Sequence, residues 1–325
     1  MVLRRPVLVL PGLAGPGAKA IIARMFTLAG IHVVDLGTRA STAWCSRLLA
    51  DFGAEVLAVE PPGGHPLRRH PPFDAAGRSI AARYFLANKA SVPAAQAALL
   101  DAADVIVTSG LDAAGLADTH RDAIVCAITP HGLTGRYCDF PGNDLTAAAR
   151  SGWASVNGLA GRPPLKGSGY QASLQAGTVA WGTVVCALIE RLANESPGQL
   201  IDVSEFETLV STFAPAPLRV QTAGFVWSRR EQVDMNEGPV PVNDGHFALL
   251  ISRPHFWIRA MEVLGLPDLA QDEELQQPGL RHKFKDRFVD RVEERMAGWD
   301  RQALFDALAR ERVVAGPVFL GGIHI

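Results

Sequence analysis

From Ile31 to Val59 the hydrophobic pattern changes period twice. Ile31–Leu36 is a short run dense in β-branched residues, the pattern of a strand buried on both faces. Apolar positions then recur at helical spacing as Leu48, Leu49 and Phe52, and Val56–Val59 reads as a second strand. Ser41 or Thr42 is the expected helix cap, and Gly53 stands just past its end, where a residue free to take positive φ is wanted. The same alternation continues downstream. Ala94–Ala103 reads as an alanine-rich helix, Asp104–Thr108 and Ala123–Thr129 as buried strands, and Ala172–Ala193 as a long helix. Strands alternating with helices over Ile31–Ala193 predict a mostly parallel sheet with helices on both faces. In such sheets ligands bind beyond the carboxyl ends of the strands, which puts the turn Gly37–Ala43 and the loop Pro61–Arg69 on one working edge. Pro215–Val242 reads as an irregular connection. A second piece, Val242–Val318, carries a strand, an apolar helix, a charged amphipathic helix over Lys283–Met296 and a last helix, a smaller α+β domain.

Composition narrows the classes. The 325 residues are 48% hydrophobic with a formal net charge of −2, ample for a large core and without the basic excess of a nucleic-acid binder. Cys45, Cys126, Cys138 and Cys186 lack ligand spacing, so reduced core cysteines and no metal are expected. Leu174–Ile189 is nearly uncharged but shorter than the roughly 20 residues of a membrane span. Gln175, Gly177 and Gly182 interrupt it and Glu190-Arg191 ends it, so the expectation is a buried helix and no membrane. No signal peptide is read at the start, and a cytoplasmic location is expected. Val7–Leu10 with PGLAGPGAKA looks like strand, turn and helix, but a phosphate loop needs Lys directly after the second Gly, and Ala18 intervenes before Lys19.

The stretch DLGTRASTAWCSRLLADFGAEVLAVEPPGGHPLRR is similar to the opening of the class III CoA-transferases, the CaiB/BaiF type, which include formyl-CoA transferases and α-methylacyl-CoA racemases. Cys45, Leu49-Ala50-Asp51, Gly53-Ala54, Val59-Glu60-Pro61-Pro62 and Arg68 carry the match. Further on, RYFLANKASV, PHGLTGRYCDFPGNDLTAAARSG, ASLQAGTVAWG, PGQLIDVSEFETLV and VVAGPV resemble later family segments. The resemblance implies a Rossmann-like large domain over 29–215, an extension over 1–28, a linker over 216–241 and a small α+β domain over 242–325. It implies coenzyme A or an acyl-CoA as substrate, and a homodimer or a heterodimer with a related subunit. By the same resemblance Arg68, Arg69, Asn88, Lys89, Gly132 and Arg136 are the expected CoA contacts. Lys suits a diphosphate as a point charge, and Arg can grip one in a bidentate way.

The family's chemistry is carried by an aspartate opening the long helix, whose carboxylate attacks the thioester. The alignment puts Ser173 there. Serine cannot form the anhydride. It forms an acyl ester if a base is within reach, with His131 and His246 as the named candidates, or it caps the helix. The racemase histidine is replaced by Asn143, and Asp144 reads as the cap of the helix that follows. The readings that follow are a CoA-transferase using Ser173, a non-catalytic CoA-binding partner of an active homologue, and a racemase or lyase variant.

Overall fold

A computed structural model describes residues 27–93, 97–212, 215–224, 226, 228–229, 238–281 and 283–319. The expectations for the first 26 residues lie outside these. The described chain divides into two compact units, residues 1–158 with 162–229, and residues 159–161 with 230–325.

The first unit is built on six parallel strands: β1 (His32–Asp35), β2 (Glu55–Val59), β3 (Ala90–Val92), β4 (Val105–Thr108), β5 (Ile124–Thr129) and β6 (Leu200–Ser204). Their order, β3-β2-β1-β4-β5-β6, reverses direction between β1 and β4. This is the doubly wound arrangement, in which ligands bind at the carboxyl edge near the reversal. Every residue of β4 and β5 is buried, as continuous β-branched runs covered on both faces must be. At the reversal the Thr38 amide donates to Ser109 Oγ at 3.2 Å and joins the two loops there.

Its helices are α1 (Ala40–Asp51), α2 (Ile80–Phe85), α3 (Ala97–Asp101), α4 (Ala113–Thr119), α5 (Asp144–Arg150), α6 (Gln171–Asn194), α7 (Glu205–Thr212) and α8 (Pro215–Ala223). Helix α1 starts one residue earlier than its expected cap. Arg39 holds the cap position without a side-chain capping bond, and Ser41 and Thr42 are buried in the first turn. Gly53, just past the helix end, takes φ +103°, the conformation expected of a helix stop. Pro215–Ala223 is helical rather than irregular, with Thr222 Oγ1 closing back on the Leu218 carbonyl.

Helix α6 extends the expected Ala172–Ala193 by one residue at each end; at 24 residues it is long and apolar enough to cross a membrane by length and composition, a test that the core helix of a soluble protein also passes. One face, Ala176, Gly177, Ala180, Val184, Ala187 and Leu188, is buried in the unit, while Ile189 and Leu192 are exposed. Contact with α1 is close. A Cβ added at Gly177 would stand 2.5 Å from the Ser41 carbonyl oxygen.

The second unit has a three-stranded antiparallel sheet, β7 (Val240–Val242), β8 (Gly245–Leu250) and β9 (Val314–Val318), with β8 central. Against it lie α9 (Pro254–Val263), α10 (Pro267–Gln271), α11 (Glu273–Gln276), α12 (Pro278–Arg281), α13 (Val289–Ala297) and α14 (Arg301–Arg310). The expected amphipathic helix is present as α13, burying Val292 and Met296. Its core is centred on Trp257, Phe247, Phe288 and Met261 and is separate from the cores of the first unit.

Candidate active site

The carboxyl end of β1 is fixed by a buried charge cluster. Asp35 Oδ1 accepts the Gly37 amide at 2.9 Å, which shapes the following turn. Lys89, at the entry to β3, donates to Asp35 Oδ2 at 3.3 Å, the Ala43 carbonyl at 2.6 Å and Ser46 Oγ at 2.6 Å. An ammonium has three protons, and all three are used inside the fold. Burial pushes the Lys89 pKa down while Asp35 pulls it back up. Lys89, expected at a diphosphate, thus turns its charge inward and braces the β1 turn.

Beside it opens a cleft of about 710 Å³ lined by Arg68, Arg78, Ser79, Arg83, Asn88 and Lys89. Arg68 Nε donates to Glu60 Oε2 at 2.7 Å, and the second guanidinium nitrogen reaches Oε1. That guanidinium holds the Glu60 carboxyl down at about 2. Arg78 and Arg83, absent from the sequence reading, both donate to Asp74 Oδ2, at 2.9 and 3.1 Å, while remaining exposed. Asn88 takes φ +62° and donates to Asp51 Oδ1 at 2.6 Å, and Arg69 donates to the Gly63 carbonyl at 3.0 Å. Three of the six expected contacts, Arg68, Asn88 and Lys89, therefore line one cleft. Gly132 and Arg136 belong to the loop after β5. Gly132 takes φ +87° with its amide on Thr129 Oγ1, and Arg136 is exposed over the Tyr137 ring.

A second cluster gathers the ends of β1, β5 and β6. Glu205, fully buried at the start of α7, accepts from Arg39 Nε at 3.0 Å and Ser41 Oγ at 2.6 Å. Arg39 Nη2 also donates to the Gly142 carbonyl at 3.0 Å, which holds the PGND turn to the β1 turn. Neither Arg39 nor Glu205 was legible as a site residue, because their pairing spans 166 positions.

The PGND turn delivers its side chains differently from expectation. Asn143, not Asp144, caps α5: its Oδ1 accepts the Leu145 and Thr146 amides, and Thr146 Oγ1 accepts the Asn143 amide in return. Asp144 is left free to face α6. Its Oδ2 accepts from Ser173 Oγ at 2.7 Å, and its Oδ1 accepts the Ser173 amide at 3.2 Å. Ser173 is the third residue of α6 and does not cap it; Tyr170 holds the cap position. His131 does not serve Ser173 either. Its buried ring packs among Tyr137 and Phe206 and makes no hydrogen bond to Ser173 among the described residues, and burial pushes its pKa down. His246 belongs to β8 of the other unit.

Tyr170 joins this helix tip to the loop that follows Arg68 and Arg69. Its hydroxyl lies 3.4 Å from His70 Nδ1, directly after Arg68 and Arg69, and its ring meets Phe85 of α2 edge-on at 5.1 Å. Burial raises the Tyr170 pKa first, and the Asp144 charge raises it further. Asp144 itself lines a separate, small cavity with Trp153, Lys166 and Gln171. Among the described residues no group of three or more His, Cys, Asp and Glu could hold a metal.

A doubly wound sheet with a cationic cleft and a carboxylate at its carboxyl edge defines an α/β protein suited to an anionic, nucleotide-bearing ligand. The family described as CoA-transferase family III matches residues 28–320, and the chain belongs to that family. The chain is 29% identical to a succinate–glutarate CoA-transferase of Agrobacterium fabrum, over 90% of this chain and 80% of that protein. It is 27% identical to a succinyl-CoA–D-citramalate CoA-transferase of Chloroflexus aurantiacus, over 86% and 74%. A solved CaiB/BaiF family protein from Brucella suis superposes with a TM-score of 0.74 at 27% identity, covering 90% of this chain and 84% of that one.

Proposed function

We propose that this chain binds acyl-CoA thioesters along the Arg68–Lys89 cleft and moves CoA from one carboxylic acid to another. One observation carries the reading: a cleft of about 710 Å³ next to the β1 turn is lined by three arginines and Asn88, a cationic wall suited to the phosphates of CoA. Arg68, Arg78 and Arg83 supply the fork geometry that phosphate oxygens accept, and Asn88 lines the same cleft; Arg69 follows Arg68 in the chain and is exposed. Gly132 and Arg136 border the edge from the loop after β5. In this reading CoA is a substrate, no metal takes part, and the protein works in the cytoplasm as a homodimer or beside a related subunit. Two similar proteins are themselves named as subunits, a succinyl-CoA–L-malate CoA-transferase beta subunit and a succinyl-CoA:(R)-benzylsuccinate CoA-transferase subunit.

The racemase or lyase variant loses ground, because the Asn143 side chain is committed to capping α5. The non-catalytic partner keeps one specific support, the serine at position 173. Calorimetric titration with CoA and an exchange assay between succinyl-CoA and glutarate separate the two. Binding with exchange is expected. Binding without exchange would favour the partner subunit, and a chain that does neither sinks the proposal.

A further inference from the structure

Resting on that reading, we infer that His65 is a positioning residue of the cationic wall: its neutral ring caps the single turn that presents Arg68, and proton uptake by the ring releases that turn. His65 precedes the turn Pro66–Arg69, and its Nδ1 accepts the Leu67 amide at 3.1 Å. An amide N–H only donates, so Nδ1 is bare and the neutral ring carries its proton on Nε2. The residue is 2% exposed, and Nε2 finds no hydrogen-bond partner among the described residues. The His65 amide donates to Glu60 Oε2 at 2.8 Å, the oxygen that also accepts from Arg68 Nε. The Arg68 amide in turn donates to the His65 carbonyl at 2.9 Å, and Leu67 between them is buried with Ala43, Ala82 and Phe85. His65 thus ties the core, the Glu60 carboxylate and the Arg68 guanidinium together.

A second proton has one place to go. It must take the Nδ1 lone pair, which ends the bond from the Leu67 amide and sets two N–H groups against each other. The charge would then sit in a buried ring with an acceptor for neither proton. Charged groups from the ends of three strands and from its own turn act on that ring. Burial pushes the His65 pKa down first; Asp35 and Glu60 pull it up, while Lys89 and Arg68 push it down. Two carboxylates set against two cations leave burial to decide. Protonation becomes favourable only once the ring has swung out to water, and swinging out costs the cap. A base whose folded value lies below its ordinary 6.5 supports the closed turn above 6.5 and withdraws that support as pH falls. Acid therefore loosens the segment that carries Arg68, and CoA binding, which needs that guanidinium fixed, weakens with it. Glu60, held at about 2, keeps its charge throughout this range and does not supply the effect.

Hydrogen exchange on the wild-type chain reads the turn directly. Exchange over 61–70, corrected for its intrinsic pH dependence, should quicken about 10-fold between pH 7.5 and pH 5.5, with β4 and β5 still protected. That is the factor for a ring that titrates at 6.5 only when the turn is open. His65→Asn keeps a side-chain oxygen for the Leu67 amide and removes the titration, so the quickening should vanish in it. Calorimetric titration with CoA at the same two pH values gives the second readout. Wild-type affinity should fall about 5-fold more than that of His65→Asn, the factor a lost cap carries. Other proton uptake, on the chain or on CoA, acts on both proteins alike. Equal pH dependence of the two proteins, or wild-type exchange over 61–70 that ignores pH, overturns the inference and leaves CoA binding standing. Wild type that binds no CoA at either pH overturns the function proposed above, and the exchange measurement still decides the proton-released cap. Because that measurement uses the wild-type chain, a misfolded His65→Asn variant does not blunt the test.

Discussion

At the scale of single residues, charge placement decides what each cation can do. Lys89 and Arg68 both line the cleft, but Lys89 is buried with its donors used up, whereas nearly half of the Arg68 side chain faces solvent. Lys89→Met leaves Asp35 buried without its partner, and breaking such a pair costs about 3–5 kcal/mol. Urea unfolding should show that loss, and a loss under about 1 kcal/mol would contradict a buried pair. Weakened CoA binding in this variant would therefore report a disturbed β1 turn before any ligand contact. Glu60 gives a pH signature. Its folded value of about 2 lies below the ordinary 4.5, so its stabilising contribution is complete above pH 4.5 and disappears as pH falls toward 2. Solvent beside half-exposed Arg68 screens the pair, which brings the effect to about 1 kcal/mol. Wild type should exceed Glu60→Gln in urea midpoint at pH 6, with the gap narrowing as pH falls below 4.5 and closing toward pH 2; a gap that widens on acidification would refute the assignment.

Between elements, the site depends on how closely α1 and α6 approach. Gly177 sits against the Ser41 carbonyl and the Trp44 side chain, so Gly177→Ala must spread the helices despite the better helix propensity of alanine. A net loss of about 1–3 kcal/mol is expected in thermal or urea unfolding. A neutral or stabilising result would show the contact to be looser than described. The spacing of Leu48, Leu49 and Phe52 revealed α1, and the apolar run revealed α6, yet neither pattern marked Gly177 as the contact. That position is one of two glycines in the helix, and only packing separates it from Gly182, where an added Cβ meets nothing.

For the whole chain, a second-unit core that shares no residue with the cores of the first unit makes localised damage the expectation. Trp257 is fully buried, donates its indole N–H to the Leu269 carbonyl at 2.7 Å and lies under Arg281. Trp257→Ala should cost about 3–5 kcal/mol in the second unit. Hydrogen exchange should then accelerate over 238–319 and leave β1, β4 and β5 protected. Equal loss across both units would argue against independent cores.

The sequence by itself determined the strand–helix alternation, the mostly parallel sheet, the smaller α+β unit and the family, because periodicity, buried β-branched runs and spaced motifs are all local along the chain. It brought Arg68, Asn88 and Lys89 into one region, since loops at one edge follow from topology. Only the tertiary structure decided which way those groups face: Lys89 inward to Asp35, Arg39 onto Glu205, and Asp144 across to Ser173. Those pairings join positions 29 to 166 residues apart. A charge finds its partner through burial and packing, which no local pattern encodes. An aspartate that read as a helix cap could thus become a carboxylate at the tip of another helix.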